Sequence, residues 1–471
     1  MENSPPAKKA KLEDGALTGS ASAGGGIQAA LLAALSGAGG NGNLQDLLKQ
    51  AMQQMSGSAT VEPEVVEDNR RPNREIPEDY PDEYKANAID IVKLHYASCR
   101  KEEKEKECLS EFQHQVFTTD DYVLGYKNLS VDFHYSPQWR VYVDIKHEGE
   151  IEKGKMKDTD ALSQIRKCQI KPLKDEEFTT EEEVFKNWID SELKEPLSGT
   201  EFGDPYNVLG KTFVMRKHSV GSEKDQMLLC RLECMSLWFI EASSWTSFDD
   251  DNFHFYTVHE ISKESNSNAL IGYLLVYRFT NPFKNSEKPY IFRVCQTVVL
   301  PPFKGQGHGR RMFEAVYRDA LSCGNILEVN VEDPCLEFVL LRDVLDVVRC
   351  IEMGIFMSEE KVKTYDYGIV PAIEMESIRS KTLMTERQIQ KVYEMMRTLK
   401  LSSSPDDSEK AKGLRIDIKR RLRVEHSEVL DSLQDADQVK EQLRILHADV
   451  QDHYNVVAGK VNAIQSKKVS T

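Results

Sequence analysis

Between residues 131 and 145 apolar and polar residues alternate: Val131, Phe133 and Tyr135, then Val141, Val143 and Ile145. A period of two is that of a half-buried strand, which predicts strands over Val131–Tyr135 and Arg140–Ile145. Upstream, Asp82 to Tyr96 is read as a helix, and the charged stretch Thr180–Leu193 as another. From residue 213 the two periods take turns. Helices are predicted over Met227–Ser244, Gly309–Leu321 and Cys335–Val348, and strands over Phe253–Val258, Leu270–Phe279, Ile291–Leu300 and Ile326–Val331. In the second of these helices the pairs Met312/Phe313, Val316/Tyr317 and Ala320/Leu321 recur every four residues. Strands ordered around helices in this way predict an α/β (α+β) fold with a mixed central sheet and helices on its faces. Beyond Ser358 the pattern is helical, over Thr385–Leu399, Leu414–Val424 and Ser427–Val461. In the last of these, Ala436, Val439, Leu443, Leu446, Val450 and Val457 step by threes and fours, a seam that could meet a partner.

A chain of 471 residues predicts two to four structural units. No Phe, Tyr or Trp precedes Tyr80, although the whole chain holds 18 Phe, 17 Tyr and 4 Trp, and ten of its 26 Gly lie before position 60. Such a segment buries too little apolar surface to offset its ordering entropy, so residues 1–75 are expected to be a disordered tail. Within it, Leu44–Met55 has helical spacing, and Lys8-Lys9-Ala10-Lys11 after Pro5-Pro6 reads as a nuclear import signal or as a plain basic run. The remainder divides into a mixed domain over 76–212, an α/β domain over 213–352, a helical region over 353–424 and a terminal helix over 425–471.

No apolar stretch reaches the ~20 residues of a membrane span, and no secretory leader is visible. Nine Cys form no C-x-x-C pair, which argues against a zinc site or a disulfide framework and for a reducing compartment. The formal charge of −16 disfavours non-specific nucleic-acid binding and suits a basic substrate or partner.

The stretch Leu300-Pro301-Pro302-Phe303-Lys304-Gly305-Gln306-Gly307-His308-Gly309-Arg310 carries the chemistry. A predicted strand runs into glycines, and an amphipathic helix follows. The first-turn N–H groups of that helix lack helical partners, and its dipole places about +0.5 charge there. Glycines let the backbone approach an anion, so this is a phosphate cradle. A dinucleotide fingerprint fails because Arg310 stands where the third Gly belongs, and a triphosphate loop fails for want of Gly-Lys-Ser/Thr.

The spacing Lys304-x-x-Gly307-x-Gly309 resembles the loop with which acetyltransferases of the GNAT superfamily hold the pyrophosphate of acetyl-CoA, with Lys304 in place of the usual Gln or Arg. The runs LPPFKGQGHG, VEDPCLEFVLLRD, LWFIEASSW and LRIDIKRRL, and more weakly FTTDDYVLGYKNL, resemble the type B histone acetyltransferase family over roughly Asp82 to Val424. That resemblance implies a GNAT-type sheet, acetyl-CoA as co-substrate, no metal, and transfer to lysines of the free, newly made histone H-four tail. It implies a WD-repeat histone chaperone as partner, in nucleus and cytoplasm. It maps the catalytic base onto Glu332, with Asp333 and Glu241 as supporting acids. The backbone of Thr297, Val298 and Val299 would meet the pantetheine arm, and Lys304, Gly305, Gln306, Gly307, His308, Gly309 and Arg310 the phosphates. Asp120, Asp121, Phe253, Tyr277 and Phe279 would line the peptide cleft. Thr119, Phe253, Arg278 and Glu337 depart from the family pattern.

The residues bear other readings too. Glu332-Asp333-Pro334 also fits a helix-entry turn with acidic capping. Paired in a partly buried cleft, the two acids would raise the pKa of one of them toward neutrality, as a base requires. Cys295 reads as packing rather than as a nucleophile. Asp249-Asp250-Asp251 reads as a solvated loop sooner than as a substrate contact, and Lys419-Arg420-Arg421-Arg423 as a solvated helix face or a docking surface. Two other functions share the fold: a histone carrier without catalysis, and an acetyltransferase for another amine.

Overall fold

The structure is a computed structural model that describes residues 81–100, 103–117, 122–151, 165, 177–246, 250–281, 287–357, 368–402, 408–433 and 435–469. The tail, its basic run and helical patch, and Thr119, Asp120, Asp121 and Asp249 lie outside these residues. Among the described residues no helix is long and apolar enough to cross a membrane.

A five-stranded sheet opens the described chain. Its strands are β1 (Val92–Tyr96), β2 (Lys106–Cys108), β3 (Ser130–Tyr135), β4 (Val141–Lys146) and β5 (Phe178–Thr179), in spatial order β2-β1-β3-β4-β5. The helix expected over Asp82–Tyr96 does not form. Only Ala88–Ile91 is α-helical, and β1 follows it directly. Val92, Leu94 and Tyr96 are buried while Lys93 is exposed, a period of two, and β1 pairs in parallel with β3 along its whole length. Sheet pairing overrides the helical spacing of the preceding residues. The helix α1 (Glu182–Glu192) forms where its charged pattern placed it.

The second sheet has seven strands. Along its main path lie β6 (Thr200–Glu201), β8 (Lys211–Ser219), β9 (Phe253–Ser262), β10 (Ser267–Thr280), β11 (Tyr290–Val299) and β12 (Ile326–Val331), and β7 (Tyr206–Val208) also pairs with β8. The strand β8 was not expected, and it crosses the boundary drawn at residue 212. One hydrophobic core runs through both sheets, from Leu94, Phe133 and Trp139 to Tyr273, Phe313 and Val329.

Helix α2 (Glu223–Ser236) ends eight residues before the expected Ser244. Trp238, Phe239 and Ile240 turn back with three- and four-residue hydrogen bonds, and Ala242 takes a left-handed φ of 54°. Tertiary contacts set this stop: Trp238 Nε1–H donates to Tyr135 Oη at 2.6 Å, and the Trp238 carbonyl accepts from the amides of Glu111 and Phe112.

Helices α3 (His308–Cys323) and α4 (Leu336–Glu352) flank β12 in sequence, and α5 (Ala372–Thr382), α6 (Glu386–Ser402) and α7 (Ser408–Glu425) follow. The predicted single last helix is two: α8 (Ser427–Ser432) and α9 (Ala436–Val469). Residues 426–439 belong to a smaller unit than the remaining described residues. In the larger unit, α4, α6, α7 and the rest of α9 share a second core containing Val347, Ile389, Val392, Ile418, Tyr454 and Val457. Leu443, Leu446, Val450 and Val457 pack into it, so that part of the seam is used within the chain. Arg421 is not a solvated cation: its guanidinium pairs with the buried Glu394 at 2.9 Å, and Tyr454 donates to the same carboxylate.

Candidate active site

The site is built where the second sheet splits. Strand β11 pairs antiparallel with β10 throughout and in parallel with β12 only as far as Val294↔Val331. At that point the register with β10 skips Cys295, a one-residue bulge that sharpens the local twist and ends the pairing with β12. The Glu332 N–H donates to the Val294 carbonyl at 2.9 Å, the last link across the split.

Beyond the split, one edge of β11 has no strand beside it among the described residues. The Leu300 N–H donates to Ile271 on β10, so alternation turns the backbone groups of Thr297 and Val299 toward that open edge. Thr297 Oγ1 is buried there with no hydrogen-bond partner among the described residues. An extended ligand with amide groups could add itself as a strand.

The open edge leads into the glycine loop. Gly305 and Gly307 have φ of 75° and 86°, which L side chains rarely adopt, and an added Cβ on either would meet nothing within 4 Å. Gly307 precedes α3 without any side-chain cap, and the Arg311 N–H already takes the Gly307 carbonyl. The amides of His308, Gly309 and Arg310 therefore face outward from a 16-residue helix with no acceptor inside it. Gly309 has a different role, since a Cβ there would lie 3.3 Å from Leu341 of α4. This donor set fits a diphosphate on an amide-bearing arm.

The side chains of the loop are less uniform than their spacing suggests. His308 points inward, its Nδ1 bonded to the Tyr206 hydroxyl at 2.8 Å, and burial pushes its imidazole down to about 4. Only its backbone N–H can serve a ligand. Lys304 pairs with Glu111 at 2.5 Å, Arg310 with Glu314 at 2.7 Å, and Gln306 Nε2–H donates to Pro302 O.

Glu332 and Asp333 follow β12 at the mouth of the split. Both are exposed, which corrects the expected partly buried cleft, and Asp333 holds a left-handed φ of 33°. The Cys295 thiol lies against the Glu332 carboxylate; burial, and then that negative charge, push the thiol up to about 12. It stays protonated at neutral pH and is no nucleophile. Glu241 lies exposed in the turn after α2 rather than on a helix, and its side chain has no hydrogen bond among the described residues.

Tyr277, Phe279 and Phe253 do come together. Tyr277 pairs across the strands with both Phe253 and Arg293, and its ring lies 4.7 Å from Phe253 and 4.5 Å from Phe279. Arg278 is drawn aside, bonded to Asn252 at 3.0 Å and lying over the Tyr290 ring.

Three supporting residues escaped the sequence reading. Asp250, read as part of a solvated loop, accepts the Tyr277 hydroxyl at 2.8 Å and caps the aromatic wall. Gln115 donates to the carbonyls of Leu237 and Ile240, and Gln296 to that of Ser244. Together they hold the turn that carries Glu241. No motif marks these residues, because their roles exist only across the fold.

Residues 84–241 match a family model described as "Histone acetyl transferase HAT1 N-terminus". A rat protein named histone acetyltransferase type B catalytic subunit is 27% identical over 354 residues, covering 72% of this chain and 80% of its own. The human protein of the same name is 27% identical over 355 residues, with the same two coverages. Among solved structures, an aminoglycoside acetyltransferase from an uncultured soil metagenomic sample aligns at 18% identity with a TM-score of 0.22. It covers 28% of this chain and 83% of its own. A score that low carries no argument.

Proposed function

We propose, from the premise that this chain belongs to the family of histone acetyltransferase type B catalytic subunits, a direct acetyl transfer to lysines of the free histone H-four tail, with Glu332 as general base. The enzyme is an acetyl-CoA-dependent histone acetyltransferase. Acetyl-CoA supplies the reactive thioester. The amides of His308, Gly309 and Arg310 would bind its diphosphate, and the edge of Thr297 and Val299 its pantetheine arm.

The attacking lysine must be neutral, and with a pKa of about 10.4 only about one in 2,500 is neutral at pH 7. A positioned carboxylate that removes the proton contributes roughly 10²–10⁴-fold. Glu332 suits this role because its backbone is fixed to Val294 at the split while its carboxylate stays open to an incoming amine. Asp333 and Glu241 would be supporting acids. The wall of Tyr277, Phe279 and Phe253 would take the aliphatic stem of the lysine, with Asp120 and Asp121 attracting the basic tail. A WD-repeat histone chaperone as partner, and a life divided between nucleus and cytoplasm, complete the proposal.

The observation that carries this reading is the coincidence of the Cys295 bulge, the open edge beyond it and Glu332 at the mouth of the split. Radiolabelled acetyl transfer to a free histone H-four peptide tests it. The wild type is expected to transfer label, and Glu332→Gln to lose at least 100-fold in kcat while still binding acetyl-CoA. A variant within threefold of wild type near pH 7 overturns the base assignment. A bulky residue at Gly307 is expected to raise the Kd for acetyl-CoA sharply, because a φ of 86° is one L side chains rarely adopt and the loop before the α3 amides would have to shift.

A further inference from the structure

On the five-stranded sheet, away from the split, two histidines stand side by side. His95 of β1 and His134 of β3 are direct partners in the parallel register, and their rings stack with centroids 4.5 Å apart. Glu105, immediately before β2, reaches His134: its Oε2 lies 2.8 Å from Nδ1. Asp132, two residues before His134 on the same face, lies 2.8 Å from His95 Nε2, and Ser130 holds its other oxygen at 2.9 Å. The Tyr142 ring stacks on His134 from β4, and Phe185 of α1 meets it edge-on, so one side of the cluster is walled by aromatics.

From this arrangement we infer a binding site for a divalent first-row transition ion of the zinc type, held by His95, His134 and Glu105. Each of the three places one ligand atom within 4.8 Å of the other two. Metal–nitrogen and metal–oxygen bonds of about 2.0–2.2 Å put neighbouring tetrahedral ligand atoms about 3.3–3.6 Å apart, so the His134–Glu105 hydrogen bond of 2.8 Å needs to open by only about half an ångström to admit the ion. The remaining approach is within reach of side-chain rotation, since the Glu105 side chain is 32% exposed and free to follow the ion. The rings rise from neighbouring strands, so the sheet holds them in place without cost at the moment of binding. Asp132 completes a carboxylate–histidine pair of the kind that fixes the tautomer and orientation of a metal-bound imidazole. Two imidazoles and one carboxylate suit zinc and copper and disfavour magnesium or calcium, which take oxygen. Imidazoles and a carboxylate rather than thiolates form the set, which is why the cysteine spacing gave no sign of it.

The site would tie the strands β1 and β3 to the segment entering β2. It is independent of the acetyl-transfer reading. The test is a zinc chloride titration of the full chain, stripped beforehand with a chelator, followed by calorimetry and by thermal unfolding. One equivalent is expected to bind with a micromolar or tighter Kd and to raise Tm. His134→Ala and Glu105→Gln are expected to weaken that binding at least tenfold and to abolish the rise in Tm. Zinc binding that is absent, or equally tight in both variants, overturns the site. Should His134→Ala fail to fold, paramagnetic resonance of the wild type with one equivalent of copper(II) decides. Hyperfine coupling to two imidazole nitrogens is expected, and coordination by oxygen alone overturns the proposal.

Discussion

Two side chains near the split test how their surroundings set their chemistry. Glu233 of α2 is 1% exposed and accepts the Thr246 N–H at 2.9 Å. Burial pushes its carboxyl up to about 7, against the pull of its hydrogen bonds to Thr246. An acid with a folded value above its unfolded value of 4.5 binds more protons when folded. Stability is therefore greatest below the unfolded value. It declines as pH rises toward the folded value and ends lower by up to about 3 kcal/mol above it. Glu233→Gln removes the ionisation, so its urea midpoint is expected to match wild type near pH 5 and to exceed it at pH 8. The second side chain is Cys295, whose thiol burial keeps protonated. Cys295→Ala is expected to keep acetyl transfer within a few-fold of wild type. Loss as deep as that of Glu332→Gln, with trapped acetyl-enzyme, would instead make the thiol a nucleophile.

Among the elements, α6, α7 and α9 are joined by a buried charge pair. Glu394 accepts from Arg421 through two nitrogens and from the Tyr454 hydroxyl, and Arg421 also reaches Glu425 at 2.6 Å. Removing one partner leaves the other buried and uncompensated, at a cost of about 3–5 kcal/mol. Glu394→Ala is expected to lower unfolding free energy by that amount in urea, while Arg420→Ala, at an exposed guanidinium, changes it by less than about 1 kcal/mol. The same pair explains why the basic run on α7 misled a reading by sequence. Arg420 and Arg421 look alike along the chain, and only the helix packed opposite decides which is solvated.

In the whole molecule, α4 connects two cores: Leu345 packs in the first, and Val344, Val347 and Val348 in the second. A rigid helix shared in this way should make the cores unfold together. All four Trp lie between residues 139 and 245, whereas the second core is helical and has none. Tryptophan fluorescence and far-UV circular dichroism should therefore trace one transition in urea, and separated midpoints would show independent cores.

Local pattern determined the strands β3, β4, β9, β10, β11 and β12 and the helices α1, α3 and α6, since burial on one face imposes a period that the residues must carry. It also determined the glycine loop, because positive φ restricts which residues can stand there. What only tertiary structure decided are features that depend on a partner far along the chain. Residues 92–96 became a strand because β3 offered a parallel edge, and α2 stopped at Ser236 because Trp238 was captured by Tyr135. His308 turned inward to Tyr206, and His95 met His134. A residue's neighbours along the chain set its period, but its chemistry depends on contacts that exist only once the sheets have closed.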